Sequence, residues 1–258
     1  MISYTTYLKT NVNKWVTLVH GAGGSSAIWY RQVKPFNEHF NVLIVDLRGH
    51  GNSGKGTKAS KYSFNEIAKD ITEVLDKLNI QQSHFIGISL GSIIIRTLAE
   101  IYPNRVFSII MAGAIMKLNI RSQILMWLGN TFKTIIPFLL LYKFFAYIIM
   151  PRRNHKKSRL LFINEAKKLD QQEFIRWFKL TSEINGLLKK YRKTTSTIPF
   201  LYIMGSQDAM FLPSVKKLVT KQAANSTLII TPNSGHVVNI DQPNYFNKNC
   251  IEYLLQSS

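Results

Sequence analysis

Short apolar runs without polar alternation recur through the first 115 residues and restrict the fold more than any other feature of the chain. Trp15-Val16-Thr17-Leu18-Val19, Val42-Leu43-Ile44-Val45, Phe85-Ile86 and Phe107-Ser108-Ile109-Ile110-Met111 read as strands covered on both faces, as in a parallel sheet. Between the second and third lies Ser63-Phe64-Asn65-Glu66, a capping box that opens a helix. Its apolar residues Ile67, Ile71, Val74, Leu75 and Leu78 recur at helical spacing. Strand, helix, strand in this order implies right-handed crossovers and a doubly wound, mostly parallel α/β sheet.

The pattern then changes. Residues from about 116 to 195 show no strand signal and read as helical, with long apolar runs broken by Lys and Arg. Strands return at Phe200-Leu201-Tyr202-Ile203-Met204 and Thr227-Leu228-Ile229-Ile230, and a last helix is expected from about Asn239 to Leu255. The expected organisation is therefore a core of residues 1–115 and 196–258 interrupted by a helical insert of residues 116–195, without internal repeats or a flexible linker. A length of 258 residues suits one such domain, and 46% hydrophobic with 18% charged residues excludes disordered, collagen-like and coiled-coil chains. Cys250 is the single cysteine, which excludes an internal disulfide and a cysteine-based zinc site. The first residues have no basic stretch followed by an apolar one, so no secretory leader is expected and the cytoplasm is the expected compartment.

Gly87-Ile88-Ser89-Leu90-Gly91 falls between a predicted strand and the apolar helix that starts near Ser92. G-x-S-x-G in that context is a nucleophile elbow: the turn lifts the serine hydroxyl clear of the sheet, and the next amide, of Leu90, points into the site from the helix N-terminus. A second glycine turn, His20-Gly21-Ala22-Gly23-Gly24-Ser25, follows the strand that ends at Val19. It matches neither phosphate-loop spacing, so its expected use is to supply a second oxyanion donor, the Ala22 amide, with Gly21 and Gly23 as substrate contacts. A serine nucleophile needs a base, and the base needs a carboxylate to fix its tautomer. Asp208 stands just beyond the Phe200 strand and His236 just beyond the Thr227 strand, both at the sheet edge where open α/β folds place their sites. The chain order Ser89, Asp208, His236 is that of the α/β hydrolases.

The chain resembles the α/β-hydrolase superfamily, in its esterase, lipase and C–C hydrolase branch with a helical cap. The resemblance rests on the His20-Gly21 turn, the elbow, the Asp208 and His236 pair, and Asp46-Leu47-Arg48-Gly49-His50-Gly51-Asn52-Ser53, which fits the family's D-x-R-G-x-G-x-S loop. It frames residues from about 15 to 255. It implies an α/β-hydrolase fold with the insert as a cap, and a cofactor-free serine hydrolase acting on carboxylic esters of apolar acyl groups; no metal is expected, because no His, Asp or Glu cluster has metal-ligand spacing. A serine at the elbow excludes the aspartate-nucleophile dehalogenase and epoxide hydrolase chemistries. Thioesters, C–C bonds and ligand binding without turnover stay open on the same residues.

Other polar residues are expected to serve structure. His20 and His50 belong to the glycine turns, His84 precedes a strand, and His39 and His155 are placed at the surface. Asp46 is read as a loop organiser, Asp241 as the start of the last helix, and Asp70, Glu73 and Asp76 as solvated charges. Cys250 has no reason to be a nucleophile.

The net charge is +19, and residues 117–193 alone hold 17 basic and 4 acidic residues. Such a surface attracts anions. The aliphatic and aromatic runs there are too continuous for a phosphate-tracking surface, so no nucleic acid is expected. Residues 135–150 carry one charge in sixteen and are followed by Arg152, Arg153, Lys156, Lys157 and Arg159. Pro137 and the short length disfavour a membrane span. Two uses stay open: a cap that lines an acyl pocket, and a lid that also docks on anionic lipid. The expected partner is thus a small ester or lipid, and the oligomeric state is left open.

Overall fold

The computed structural model describes residues 1–55, 62–132, 135–194, 196–221 and 225–257; residues 195 and 258, which close the two expected segments, lie outside them. The short apolar runs expected to be strands all become strands. In chain order these are β1 (Tyr4–Tyr7), β2 (Trp15–Val19), β3 (Asn41–Val45), β4 (Ser83–Ile88), β5 (Val106–Ala112), β6 (Phe200–Gly205) and β7 (Ser226–Thr231). They form one sheet in the order β1-β3-β2-β4-β5-β6-β7. All neighbours are parallel except β1, which pairs antiparallel with β3 through Tyr4 opposite Val45 and Tyr7 opposite Val42. The sequence reading missed β1, a four-residue edge strand only half covered.

Successive residues of each inner strand serve opposite faces, the two-residue period of extended chain. Leu43, Val45, Phe85, Ile109, Met111, Tyr202 and Met204 face one core, shared with α2 (Phe64–Lys77) and α3 (Leu90–Ile101). Val42, Ile44, Ile86, Ile110, Leu201 and Ile203 face the other, where they meet Trp29, α1 (Val33–Asn37) through Phe36, and later Phe246 and Leu254. The capping box forms as expected, with the Ser63 hydroxyl accepting from Glu66 N–H at 3.2 Å. The chain order reverses between β2 and β4, so a crevice opens above their carboxyl ends, where open α/β sheets bind ligands.

Among the described residues, five α-helices separate β5 from β6 along the chain: α4 (Ile120–Phe132), α5 (Phe138–Ile149), α6 (Lys156–Ala166), α7 (Gln171–Lys179) and α8 (Thr181–Tyr191). Pro137 precedes α5 as its N-cap, so the helix takes only twelve of the sixteen residues of the apolar run. Twelve residues rise about 18 Å, short of the ~30 Å of a bilayer core. No described helix is long and apolar enough to cross a membrane. The segment is tied to the sheet by buried polar groups. Ser25 donates to Glu165 at 2.5 Å, Tyr62 donates to Glu173 at 2.5 Å, and Trp177 Nε1–H donates to the Arg48 carbonyl at 3.0 Å. After β6 come α9 (Leu212–Lys221), α10 (Val238–Asp241) and α11 (Pro243–Gln256). The expected last helix is thus two, because Pro243 keeps Gln242 out of the helical region (φ −136°, ψ 65°).

Two neutral histidines lock the loops that follow β2 and β3. Leu47 N–H donates to His20 Nε2 at 3.0 Å, so His20 carries its proton on Nδ1 and donates it to the Gly21 carbonyl at 2.7 Å. Gly23 N–H donates to His50 Nε2 at 3.0 Å, and His50 Nδ1–H reaches the Arg48 carbonyl at 3.1 Å. The rings lie 5.1 Å apart. Burial lowers the pKa of His20, while burial and then the neighbouring His20 push His50 down to about 3. Asp46 binds the same loops together by accepting from Ser26 N–H at 2.6 Å and Asn52 N–H at 2.9 Å. Asp70, expected to be a solvated charge, instead holds Arg48 through two 2.6 Å hydrogen bonds.

A lowered histidine pKa means the unfolded chain binds the extra proton, so this stability is complete above about pH 6.5 and drains away as pH falls toward 3. His50 alone should cost about 1.4 kcal/mol per pH unit in that window, or roughly 2 kcal/mol at pH 5. Denaturant unfolding at pH 7.5 and pH 5 should therefore show a marked acid loss in the parent protein. His50→Leu should be less stable at pH 7.5 but should lose less between the two pH values. Equal losses in both proteins would refute the account.

Candidate active site

Ser89 ends β4 and caps α3 with φ 54° and ψ −119°, a strained conformation for a residue with a side chain. It exists because α3 starts unusually close to the sheet. A Cβ on Gly91 would lie 2.5 Å from the Val19 carbonyl, and one on Gly87 would lie 2.5 Å from the Gly91 carbonyl. Only glycine fits either position. The strain is held by Ser89 N–H donating to the Ala112 carbonyl of β5 at 2.9 Å and by Ser92 N–H and Oγ–H donating to the Ser89 carbonyl.

The hydroxyl so placed meets His236 Nε2 at 2.9 Å, and His236 Nδ1 lies 2.8 Å from Asp208 Oδ2. Asp208 and His236 are buried, and the Phe211 ring stands 5.1 Å from the imidazole. Phe211 N–H donates to the other carboxylate oxygen, Oδ1, at 3.0 Å, which fixes the plane of the carboxylate. A carboxylate on one side forces the imidazole proton onto Nδ1 and leaves Nε2 free to accept from the serine hydroxyl. The sequence placed these three side chains on three separate strand ends, and the fold brings them into one hydrogen-bonded line.

The His20-Gly21 turn lies against the elbow: a Cβ on Gly21 would stand 3.1 Å from Ser89 Cβ and 3.7 Å from Leu90 N. Leu90 opens α3, where first-turn N–H groups have no intrahelical acceptor. The turn's own backbone bonds run from Gly24 N–H to the Gly21 carbonyl and from Gly23 N–H to His50, leaving the Ala22 amide out. Ala22, Leu90 and Gly21 line a cavity with Ser89 and His236. Gly23 does not line it. Its amide is spent on His50 and its α-carbon packs on the Tyr142 ring, so it serves the loop rather than the cavity.

The cavity holds about 240 Å³. Its walls come from α4 (Leu125, Met126), α5 (Tyr142, Phe145, Ile149) and α7 (Phe174, Trp177, Phe178), with the sheet domain as floor. No Lys, Arg, Asp or Glu is among its described lining residues.

Sequence reasoning misplaced His155 and missed what it does. It is fully buried, with Nε2 and Gln207 Oε1 hydrogen bonded at 2.8 Å, and its ring packs so closely on Gly235 that a Cβ there would lie 2.6 Å away. Asn154 adds bonds of 2.9 Å to Gln207 Oε1 and to the Asn233 carbonyl. The helical segment thereby grips both loops that present Asp208 and His236. No periodicity in the sequence signals this, because it depends on where α6 lands. Asp241 does not begin the last helix; it accepts from Gly235 N–H at 2.8 Å and steadies the His236 loop. Cys250 is buried and its thiol pKa is pushed up by burial, which removes it as a nucleophile.

Comparison with known proteins agrees with this architecture. A family model described as the alpha/beta hydrolase fold matches residues 14–139. RutD of Acinetobacter baylyi, provisionally named a carbamate hydrolase, is 27% identical over 95% of this chain and 94% of its own. The 3-oxoadipate enol-lactonase 2 of the same organism is 26% identical over 87% of this chain and 82% of its own. Among solved structures, MenH from S. aureus superposes with a TM-score of 0.83 over 100% of this chain and 99% of that one, at 15% identity, a likeness of fold. With its seven-stranded, mostly parallel sheet and its match over residues 14–139, the chain has the α/β-hydrolase fold.

Proposed function

We propose that the protein is a serine hydrolase of small, uncharged carboxylic esters with apolar acyl groups. The observation that carries this reading is the Ser89–His236–Asp208 line of hydrogen bonds opening into an apolar cavity. In this mechanism His236 Nε2 takes the hydroxyl proton as Ser89 Oγ bonds to the ester carbonyl carbon. The oxyanion so formed is held by the Ala22 and Leu90 amides, whose place beside Ser89 suits them to it. Collapse breaks the bond to the alkoxide, which leaves with the proton from His236. Water, deprotonated by the same nitrogen, then attacks the acyl-enzyme and releases the acid and the free serine. Asp208 keeps the imidazole in the one useful tautomer.

The helices α4–α8, within residues 116–195, act in this reading as a cap that supplies the acyl wall. A cavity of about 240 Å³ suits a short to medium chain. A relative named for 3-oxoadipate enol-lactone acts on a compound derived from a dicarboxylate. A carboxylate in this cavity would find no cation, and burying it unpaired costs several kcal/mol. The apolar walls therefore favour neutral esters.

Four outcomes test the proposal. A fluorophosphonate probe should label Ser89, and Ser89→Ala should abolish both labelling and turnover; a variant that still labels would place the nucleophile elsewhere. His236→Ala should lose activity nearly as completely, since a triad acts as a unit and leaves only roughly 10³–10⁴-fold catalysis over water. Asp208→Asn should remain folded with kcat lowered about 10⁴-fold, and near-full activity there would show that another group orients the base. Finally, kcat/KM across p-nitrophenyl esters, with an acyl thioester alongside, should peak at short to medium neutral chains. It should fall on the order of a hundredfold for an acyl chain ending in carboxylate. A preference for the charged chain would overturn the substrate class while leaving the triad untouched.

A further inference from the structure

Helices α4 and α5 are apolar on two sides. Their inner residues line the cavity, and their outer residues face outward uncovered. Along α4, Ile120, Ile124 and Trp127 recur at i, i+4 and i+7; along α5, Leu140, Phe144 and Tyr147 do the same. That spacing puts each trio on one helix face. Trp127 is 63% exposed, Phe144 48% and Tyr147 58%. Gly129 of α4 lets that helix close on the Phe178 ring of α7, a Cβ there standing 2.4 Å away, with the Phe145 ring of α5 beside it at 3.1 Å. Single exposed apolar residues are ordinary, whereas aligned stripes on adjoining helices mark a surface that meets something apolar.

Charge identifies what it meets. Three of the four acidic residues in the segment are turned to other work: Glu165 to Ser25 and Lys168, Asp170 to Lys55, and Glu173 to Tyr62 and Arg176. Arg121, Lys143, Arg152, Arg153, Lys156 and Lys157 are exposed, and none forms an ion pair among the described residues. Lys143 lies within the α5 stripe itself. The cationic turn is fastened to the end of that stripe by Arg159, whose guanidinium sits 4.4 Å over the Tyr147 ring while donating to the Met150 carbonyl at 2.5 Å. Apolar stripes bordered by unpaired cations complement a surface that is apolar inside and anionic at its rim. A second copy of this chain would set two cationic faces against each other at a net charge of +19 each. A nucleic acid would leave the stripes in water.

We propose that the outer face of α4 and α5, together with residues 152–157, docks on an anionic lipid bilayer. The stripes enter the headgroup region and the Lys and Arg side chains engage lipid phosphates. The docked face would then be separated from the cavity by the thickness of one helix, about 10 Å. This inference stands independently of what Ser89 turns over.

The test is co-sedimentation of the full chain with vesicles of phosphatidylcholine alone or mixed with phosphatidylglycerol, at low and high salt. The protein should sediment with the anionic vesicles at low salt, at least about tenfold more tightly than with the neutral ones, and less at high salt. Replacing Arg152, Arg153, Lys156 and Lys157 together by Gln should weaken anionic binding on the order of a hundredfold. Trp127→Ser with Phe144→Ser should weaken it at both salt concentrations. Unchanged unfolding midpoints would show that these variants are folded. Negligible binding to both vesicle types, equal binding to both, or a four-fold Gln variant that binds like the parent would overturn the proposal. So would sedimentation equilibrium that finds a dimer abolished by the Trp127 and Phe144 substitutions.

Discussion

Helix α3 starts where it does because two residues have no side chain, and much of the molecule follows from that approach. With hydrogen at Gly87 and Gly91, the first turn of α3 sits against the ends of β2 and β4 at a distance no Cβ would permit. The intervening residue is then forced to positive φ, at a cost of about 1–3 kcal/mol. Its surroundings absorb that cost: β5 receives its amide, α3 its carbonyl, and the His20-Gly21 turn covers its Cβ. Strands that are neighbours in space but distant in sequence thus converge on one residue. The hydroxyl direction is a property of the whole sheet edge rather than of a loop.

Around that point the buried polar groups do two kinds of work. The histidine pair His20 and His50, each neutral and each used at both nitrogens, joins the turn after β2 to the loop after β3. Farther out, carboxylates from the helical segment reach inward to Ser25 and Tyr62, and His155 and Asn154 reach down to Gln207 and the Asn233 carbonyl. The helical segment is therefore fastened at polar points around the rim of an apolar space. This arrangement keeps the space itself free of charge.

What the sequence made legible was what local chemistry dictates. Buried parallel strands need uninterrupted apolar runs, and β2 to β7 were readable for that reason. The elbow was readable because its two glycines have a steric cause at fixed spacing, and Asp208 and His236 because each directly follows a strand in the order the fold requires. Features decided by tertiary contact were not readable. The strand β1 has four residues and one partner, so its pattern Tyr4-Thr5-Thr6-Tyr7 is too short to stand out. His155 looked like a surface residue in a basic stretch, yet α6 buries it; Asp70 sits on a polar helix face, yet Arg48 from another loop claims it. Gly23 shares a turn with Gly21 and Ala22, and only the position of His50 shows that it faces the other way.

The strands that bracket the helical segment are hydrogen-bonded neighbours: Ile109 lies opposite Phe200 and Ala112 opposite Ile203. The chain leaves the sheet at Ala112 and returns at Phe200, one strand over and three residues back along parallel strands, so the two ends of the excursion are held about 11 Å apart, whatever lies between them. Closing a longer or shorter excursion across that gap changes its entropy only slowly with length. A different set of helices could be grafted at the same two points without altering the register of any strand. Such a graft would also remove the bonds of Asn154 and His155 to Gln207 and the Asn233 carbonyl, so a new set of helices would have to supply its own grip on the loops that carry Asp208 and His236.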